Sequence, residues 1–190
     1  MGSYVIGGEN PDRERLARFA SRVLLEAFPT PRECMFHLEC FLKDDGEIVL
    51  CEVACRLGGN GINEEVRLSY GVDMKLEYMR SQFLGVGACD VRTTPKGLGD
   101  QVAGRLLISP RNGRLESIPA VCTESFVLDY QARGKPGGEY TAMSMSDDDI
   151  ANFLLVGPNE SELRKRIFGL HEWFDKNTRW VERASRDSAV

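Results

Sequence analysis

Residues 35–42 read MFHLECFL, residues 47–56 read EIVLCEVACR, and Lys43-Asp44-Asp45-Gly46 joins them. An Asp-Gly step between two apolar, partly alternating runs predicts an antiparallel hairpin. A two-residue loop at Asp45-Gly46 pairs Asp44 with Glu47 and, counting back, Glu39 with Glu52; a four-residue loop gives the same register. His37 then faces Ala54, and Met35 faces Arg56. Directly opposed Cβ atoms lie about 4.5–5.5 Å apart, where like charges repel unless a cation or proton sits between them. Mg²⁺ takes such oxygen ligands, usually one or two carboxylates with phosphate oxygens beside them. Glu39 and Glu52 are therefore the candidate metal ligands, and Arg56 is placed to meet the anion that the metal carries. The plain alternative is the solvated side of a half-buried sheet, with Phe36, Leu38, Cys40 and Leu42 on its inner side.

The second strand leaves through Arg56-Leu57-Gly58-Gly59-Asn60-Gly61 into a helix-like run over residues 63–70. Glycines let a backbone approach a ligand closely, and amides at a helix start favour anions. An ordinary flexible turn has the same composition.

Taken together, residues 34–70 resemble the ATP-grasp superfamily, and the likeness continues more weakly to about residue 180. The C-terminal catalytic half of that superfamily carries a metal-binding Glu, a hairpin, and then Glu-x-Asn-x-Arg before a Gly-rich turn. Here Glu39 and Glu52 take the acidic positions and Arg56 the arginine, whereas Ala54 stands where many members carry a metal-binding Asn. The run EVACRLGGNGI is most similar to the amino-acid ligase branch, which joins a carboxylate to an amine.

The resemblance implies an α+β fold, ATP, and Mg²⁺ or Mn²⁺. It implies metal binding by Glu39 and Glu52, and a catalytic Arg56 on the γ-phosphate or acyl-phosphate oxygens. The cofactor-binding set it implies is His37, Glu39, Glu52, Gly58, Gly59 and Asn60. The implied substrate is an amino acid or another small carboxylate, activated as an acyl phosphate. A carboxylase or other synthetase on the same scaffold, or a non-catalytic assembly or regulatory domain, remains an alternative. The resemblance also implies a lysine-bearing lid, an adenine-clasping hinge and a preceding substrate domain, none of which fits before Pro31. The expectation is a C-terminal portion, inactive alone, that self-associates or meets a missing N-terminal half.

The chain has 190 residues and a formal net charge of −5, with no basic run carrying interleaved aromatics, which argues against a general nucleic-acid surface. It has no apolar stretch of membrane-spanning length and no secretory signal pattern, so a cytoplasmic, membrane-free protein is expected. Met1-Gly2-Ser3 reads as a possible expression scar, and Ile6 makes a poor myristoylation context for Gly2. The cysteines are Cys34, Cys40, Cys51, Cys55, Cys89 and Cys122, without CxxC pairs or zinc spacing, so reduced thiols are expected. Cys51 and Cys55 read as small buried side chains opposite Glu52.

Asn10-Pro11 predicts a helix start, followed by an apolar stripe of Leu16, Phe19, Ala20, Val23, Leu24 and Ala27. Arg13, Arg15, Arg18 and Arg22 read as its solvated face. Gly71 stops the helix after the glycine loop, and Asp73 caps another whose Leu76, Met79 and Phe83 are expected in the core. Residues 85–99 are turn-rich and mark a boundary. Strands are expected over residues 102–108, 114–118, 125–130 and 153–156, with a mobile cationic loop over 133–138. From Ser161 a final helix places Leu163, Ile167, Leu170 and Phe174 on one stripe, with His171 beside it. The expected division is residues 1–87, the catalytic part; 88–180, a β-rich subdomain with closing helix; and 181–190, a frayed polar tail.

Overall fold

A computed structural model describes residues 1–28, 34–85, 101–145 and 148–181. The expected boundary region over 86–99 and the tail after Val181 lie outside the described residues. In chain order the elements are β1 (Gly2–Tyr4), α1 (Arg13–Arg22), β2 (His37–Leu42), β3 (Ile48–Ala54), α2 (Ile62–Tyr70) and α3 (Met74–Leu84). There follow β4 (Val102–Ile108), β5 (Gly113–Ser117), β6 (Val127–Ala132), β7 (Glu139–Tyr140), β8 (Ala151–Gly157), α4 (Glu160–Asn177) and β9 (Arg179–Val181). The fold is α+β, with antiparallel strand pairs and four α-helices among the described residues. Two compact units form: Val5–Val102, and Met1–Tyr4 together with Ala103–Val190. No described helix is long and apolar enough to cross a membrane.

The second of these units holds most of the buried apolar side chains. Its larger sheet has the order β1-β4-β8-β6, and a smaller one has the order β7-β5-β9. The opening residues are part of the first sheet: Gly2, Ser3 and Tyr4 pair with Leu106, Arg105 and Gly104. Helix α4 starts where the Asn159 side chain accepts from the Glu162 amide at 2.9 Å, and it buries Leu163, Ile167, Leu170 and Phe174. Phe153 on β8 is fully buried, stacked on Tyr130 at 4.6 Å and edge-on to Phe174 at 6.0 Å. His171 lies half-exposed, 3.8 Å from Asp175, outside that core.

The cationic loop over residues 133–138 is a largely exposed turn, and its backbone is hydrogen-bonded to Ile150 and Leu115. The amides of Arg133 and Gly134 both donate to the Ile150 carbonyl at 2.8 Å, and the Gly137 amide donates to Leu115 at 2.7 Å. Arg133 also meets Asp149 at 2.8 Å.

The other unit is differently built. Among its described residues the buried apolar side chains are Val23 and, at its boundary, Val102; Asn63, Glu65 and Ser69 are buried too. Leu76, Met79 and Phe83 of α3 are 48 %, 51 % and 76 % exposed, so the expected core stripe is present as a pattern but uncovered. Amphipathic spacing encodes a face for burial, and the layer that would cover this one is not among the described residues of its unit.

Helix α1 begins two residues after Pro11, because the Asn10 side chain accepts from the Asp12 amide at 2.9 Å and closes a turn first. After Arg22 the helix widens into a π-helical turn over Val23–Ala27, ending where the Phe28 amide donates to the Val23 carbonyl five residues back at 3.2 Å. Arg15 is not merely solvated. Its guanidinium donates to the Gly46 carbonyl and pairs with Asp12 at 2.5 Å, pinning the tip of the β2–β3 hairpin to α1.

Candidate active site

The hairpin closes through three residues, Asp44-Asp45-Gly46, rather than two or four. The Lys43 amide donates to Glu47 at 2.9 Å and the Gly46 amide to Lys43 at 2.8 Å. Gly46 has φ +84°, the left-handed position that this loop length requires, and a Cβ there would also sit 3.3 Å from the Arg15 guanidinium. From this turn the ladder runs Leu42↔Ile48, Phe41↔Val49 and Cys40↔Leu50. Continued unchanged, it would set Glu39 against Cys51 and turn Glu52 to the other face. A bulge intervenes: Cys51 is the extra residue, and the ladder resumes as Glu39↔Glu52, Leu38↔Val53 and His37↔Ala54. The two carboxylates are thereby opposed. The ladder ends at His37↔Ala54, so the further Met35–Arg56 pair is not part of it.

Two groups meet the facing carboxylates. His37 Nε2 donates to Glu39 Oε1 at 2.8 Å, and Arg56 Nη2 stands 3.5 Å from Glu52 Oε1. Arg56 Nη1 donates to the Leu57 carbonyl at 3.0 Å, which folds the guanidinium over the start of the glycine loop. Glu39, Glu52 and Arg56 are about half-exposed, while the His37 side chain is mostly covered at 17 % exposure. Ligand atoms of His37, Glu39 and Glu52 lie within 4.8 Å of one another. Adjacent ligands on an octahedral cation at about 2.1 Å are roughly 3 Å apart, a separation that small rotations of exposed carboxylates reach. The donor set suits a divalent cation. Ala54 contributes no ligand atom.

Gly58 has a reason to be glycine that the sequence did not reveal. A Cβ there would meet Ile62 Cδ1 at 2.7 Å and His37 Nδ1 at 2.9 Å, so the loop passes directly against the imidazole. The loop thus backs His37 on the side away from Glu39. Gly59 and Asn60 are exposed, and Asn60 takes the left-handed φ of +49° that Asn tolerates better than most residues. Helix α2 follows, with Gly61 at its N-cap and no side-chain cap. Glu64 and Glu65 occupy its first turn, where they complement the helix dipole themselves and oppose an added anion.

Sequence reasoning also missed a clamp behind the loop. Asn63 donates to Asp73 Oδ1 at 3.2 Å and accepts from the Lys75 amide at 3.1 Å, tying α2 to α3. Asp73 caps α3 as expected, and its bond from the Leu76 amide holds the carboxyl below the usual range.

The cysteines depart from expectation. Cys34 and Cys55 form a disulfide with Cα atoms 6.4 Å apart, at the open end of the hairpin beside Arg56. Cys51 is exposed because it is the bulged residue; Cys40 and Cys122 are free, and Cys89 lies outside the described residues. Strand alternation is broken at 51/52, which is why placing Cys51 opposite Glu52 by parity fails.

No family profile and no curated protein matches the sequence. Solved structures do. Phosphoribosylglycinamide synthetase from Anaerococcus prevotii is 14 % identical with a TM-score of 0.64, over 96 % of this chain and 45 % of that one. L-amino acid ligase from Bacillus licheniformis is 18 % identical with a TM-score of 0.58, over 78 % of this chain and 36 % of that one. N5-carboxyaminoimidazole ribonucleotide synthetase from Thermotoga maritima is 15 % identical with a TM-score of 0.54, over 96 % and 46 %. The chain spans less than half the length of each. Identity this low speaks to fold, and the fold shared by these neighbours is that of the ATP-grasp superfamily, which is the fold of this chain.

Proposed function

We propose that this chain is the metal- and phosphate-binding portion of an ATP-dependent carboxylate–amine ligase. The observation that carries the reading is the opposition of Glu39 and Glu52, with His37 against one carboxylate and Arg56 beside the other. Facing carboxylates on an exposed strand pair are costly unless their charge is used. Glu39 and Glu52 would hold Mg²⁺ or Mn²⁺, which supplies charge neutralisation for the phosphoryl group of ATP.

Arg56 has a planar fork and half its surface open, and it swings from Glu52 onto phosphate oxygens when a polyphosphate arrives. His37 orients Glu39 through the 2.8 Å bond and is itself held by the loop at Gly58. The carboxylate substrate is phosphorylated at the oxygen that attacks the γ-phosphorus, giving an acyl phosphate and ADP. An amine then displaces phosphate. Arg56 offsets the negative charge in both steps. The amino-acid ligase branch is preferred because of the EVACRLGGNG run and the structural likeness to an L-amino acid ligase.

The reading also holds that the chain alone does not ligate, since phosphoryl transfer needs a positioned nucleotide as well as charge stabilisation. The uncovered apolar face of α3 supports a further covering layer, from a second copy or from another part of the enzyme. The test is ADP release by the isolated chain with ATP, Mg²⁺ and mixed amino acids. The expected result is none; amino-acid-dependent release contradicts the portion reading.

A further inference from the structure

We propose that Cys34 and Cys55 are a reversible thiol–disulfide site whose oxidation state sets the order of the loop over residues 56–61. The pair sits at the open end of the hairpin, and its effect on the loop does not depend on nucleotide binding. The hairpin ladder ends at His37↔Ala54, and Cys55 is the next residue on its strand. The disulfide to Cys34 is therefore the last cross-strand tie before Arg56. Beyond it the chain enters a loop with Gly58, Gly59 and Gly61, held by the 3.0 Å bond of Arg56 to Leu57 and by the packing of Gly58 on His37.

The cross-link closes a 21-residue span that contains the whole hairpin. It removes the splaying motions of the open end that a reduced hairpin samples. His37 lies three residues after one cysteine, and Arg56 directly follows the other. A change at the pair reaches both.

The chemistry is accessible because Cys55 is exposed. In the oxidising direction the Cys55 thiolate attacks one sulfur of a small-molecule disulfide, forming a mixed disulfide and releasing one thiolate. The Cys34 thiolate then attacks the Cys55 sulfur, closing the protein disulfide and releasing the second thiolate. Two protein thiols are oxidised and one external disulfide is reduced to two thiols. Reduction runs the same exchanges backward.

The experiment equilibrates the full chain in glutathione buffers from mostly reduced to mostly oxidised. It then maps disulfides by peptide mass spectrometry and amide exchange over residues 54–62. The expected result is a Cys34–Cys55 cross-link that forms and breaks reversibly, with exchange about fivefold or more slower in the oxidised protein. Cys34→Ser abolishes that redox dependence, and Cys122→Ser preserves it. A different pairing, such as Cys51–Cys55, overturns the proposal. So does a Cys34–Cys55 cross-link that leaves exchange over 54–62 unchanged.

Discussion

Glu39 stands opposite Glu52 although the turn-side half of their ladder is set to place it opposite Cys51. Two departures from a regular hairpin, a three-residue turn and a one-residue bulge, offset each other. The bulge thus acts as a parity device. Deleting Cys51 should give a regular ladder in which Glu52 follows Leu50 and still pairs with Glu39. Cross-strand NMR contacts between residues 39 and 52 should survive the deletion, and Mn²⁺ affinity should stay within roughly threefold of the parent. Loss of the 39–52 contact would show that Cys51 does more than set parity.

The Glu39–Glu52 pairing at the candidate site was legible in the sequence, though not for the reason first apparent. Asp45-Gly46 announced a hairpin, and an even-length loop led to the Glu39–Glu52 pair that the structure contains. The loop is odd, and the bulge that compensates has no composition signal, since Cys51 differs little from its neighbours in strand preference. The disulfide was illegible for a related reason. Cys34 and Cys55 are 21 residues apart and lie diagonally across the hairpin mouth, a relationship that exists only once the register is known. Burial along α4 was readable because its covering sheet belongs to the same unit. The stripe of α3 was equally readable as a pattern, but sequence periodicity does not say whether a partner layer is present.

Arg56→Lys keeps the charge and loses the fork. Lys is a point charge on a flexible stem, so a bidentate phosphate contact is halved while the hairpin is untouched. Affinity for Mn²⁺–ADP, measured by calorimetry, should fall about tenfold, or ~1.4 kcal/mol. The circular dichroism spectrum should not change. Unchanged affinity would remove Arg56 from the phosphate contact.

The contrast between the two units makes a stability prediction. Phe153 is fully buried among Tyr130, Trp173 and Phe174, so Phe153→Ala should cost about 3–5 kcal/mol in denaturant unfolding of its unit. Phe83 is 76 % exposed, and Phe83→Ala should cost no more than about 0.5 kcal/mol. A large cost at Phe83 would mean that its face is covered in solution.

Tyr130 gives the second unit an alkaline limit. Burial, with a smaller contribution from Cys122, pushes its hydroxyl up to about 12, and the hydroxyl donates to the Pro119 carbonyl at 2.6 Å. The folded protein holds this proton more tightly than the unfolded chain, whose tyrosines titrate near pH 10. Its contribution is therefore complete below about pH 10 and is lost as pH rises toward 12. Unfolding midpoints measured from pH 9 to 12 should fall through that window, and the fall should be shallower in Tyr130→Phe. Identical profiles would assign the alkaline loss to other groups.

Glu39 and Glu52 are expected to share one divalent cation on the open face of the hairpin. The decisive measurement is an electron paramagnetic resonance titration of Mn²⁺, with ADP present to supply phosphate oxygens. One Mn²⁺ site per chain is expected, with Glu39→Gln and Glu52→Gln each lowering its affinity about tenfold or more. Binding that is absent from the parent chain, or unchanged in both variants, would contradict it.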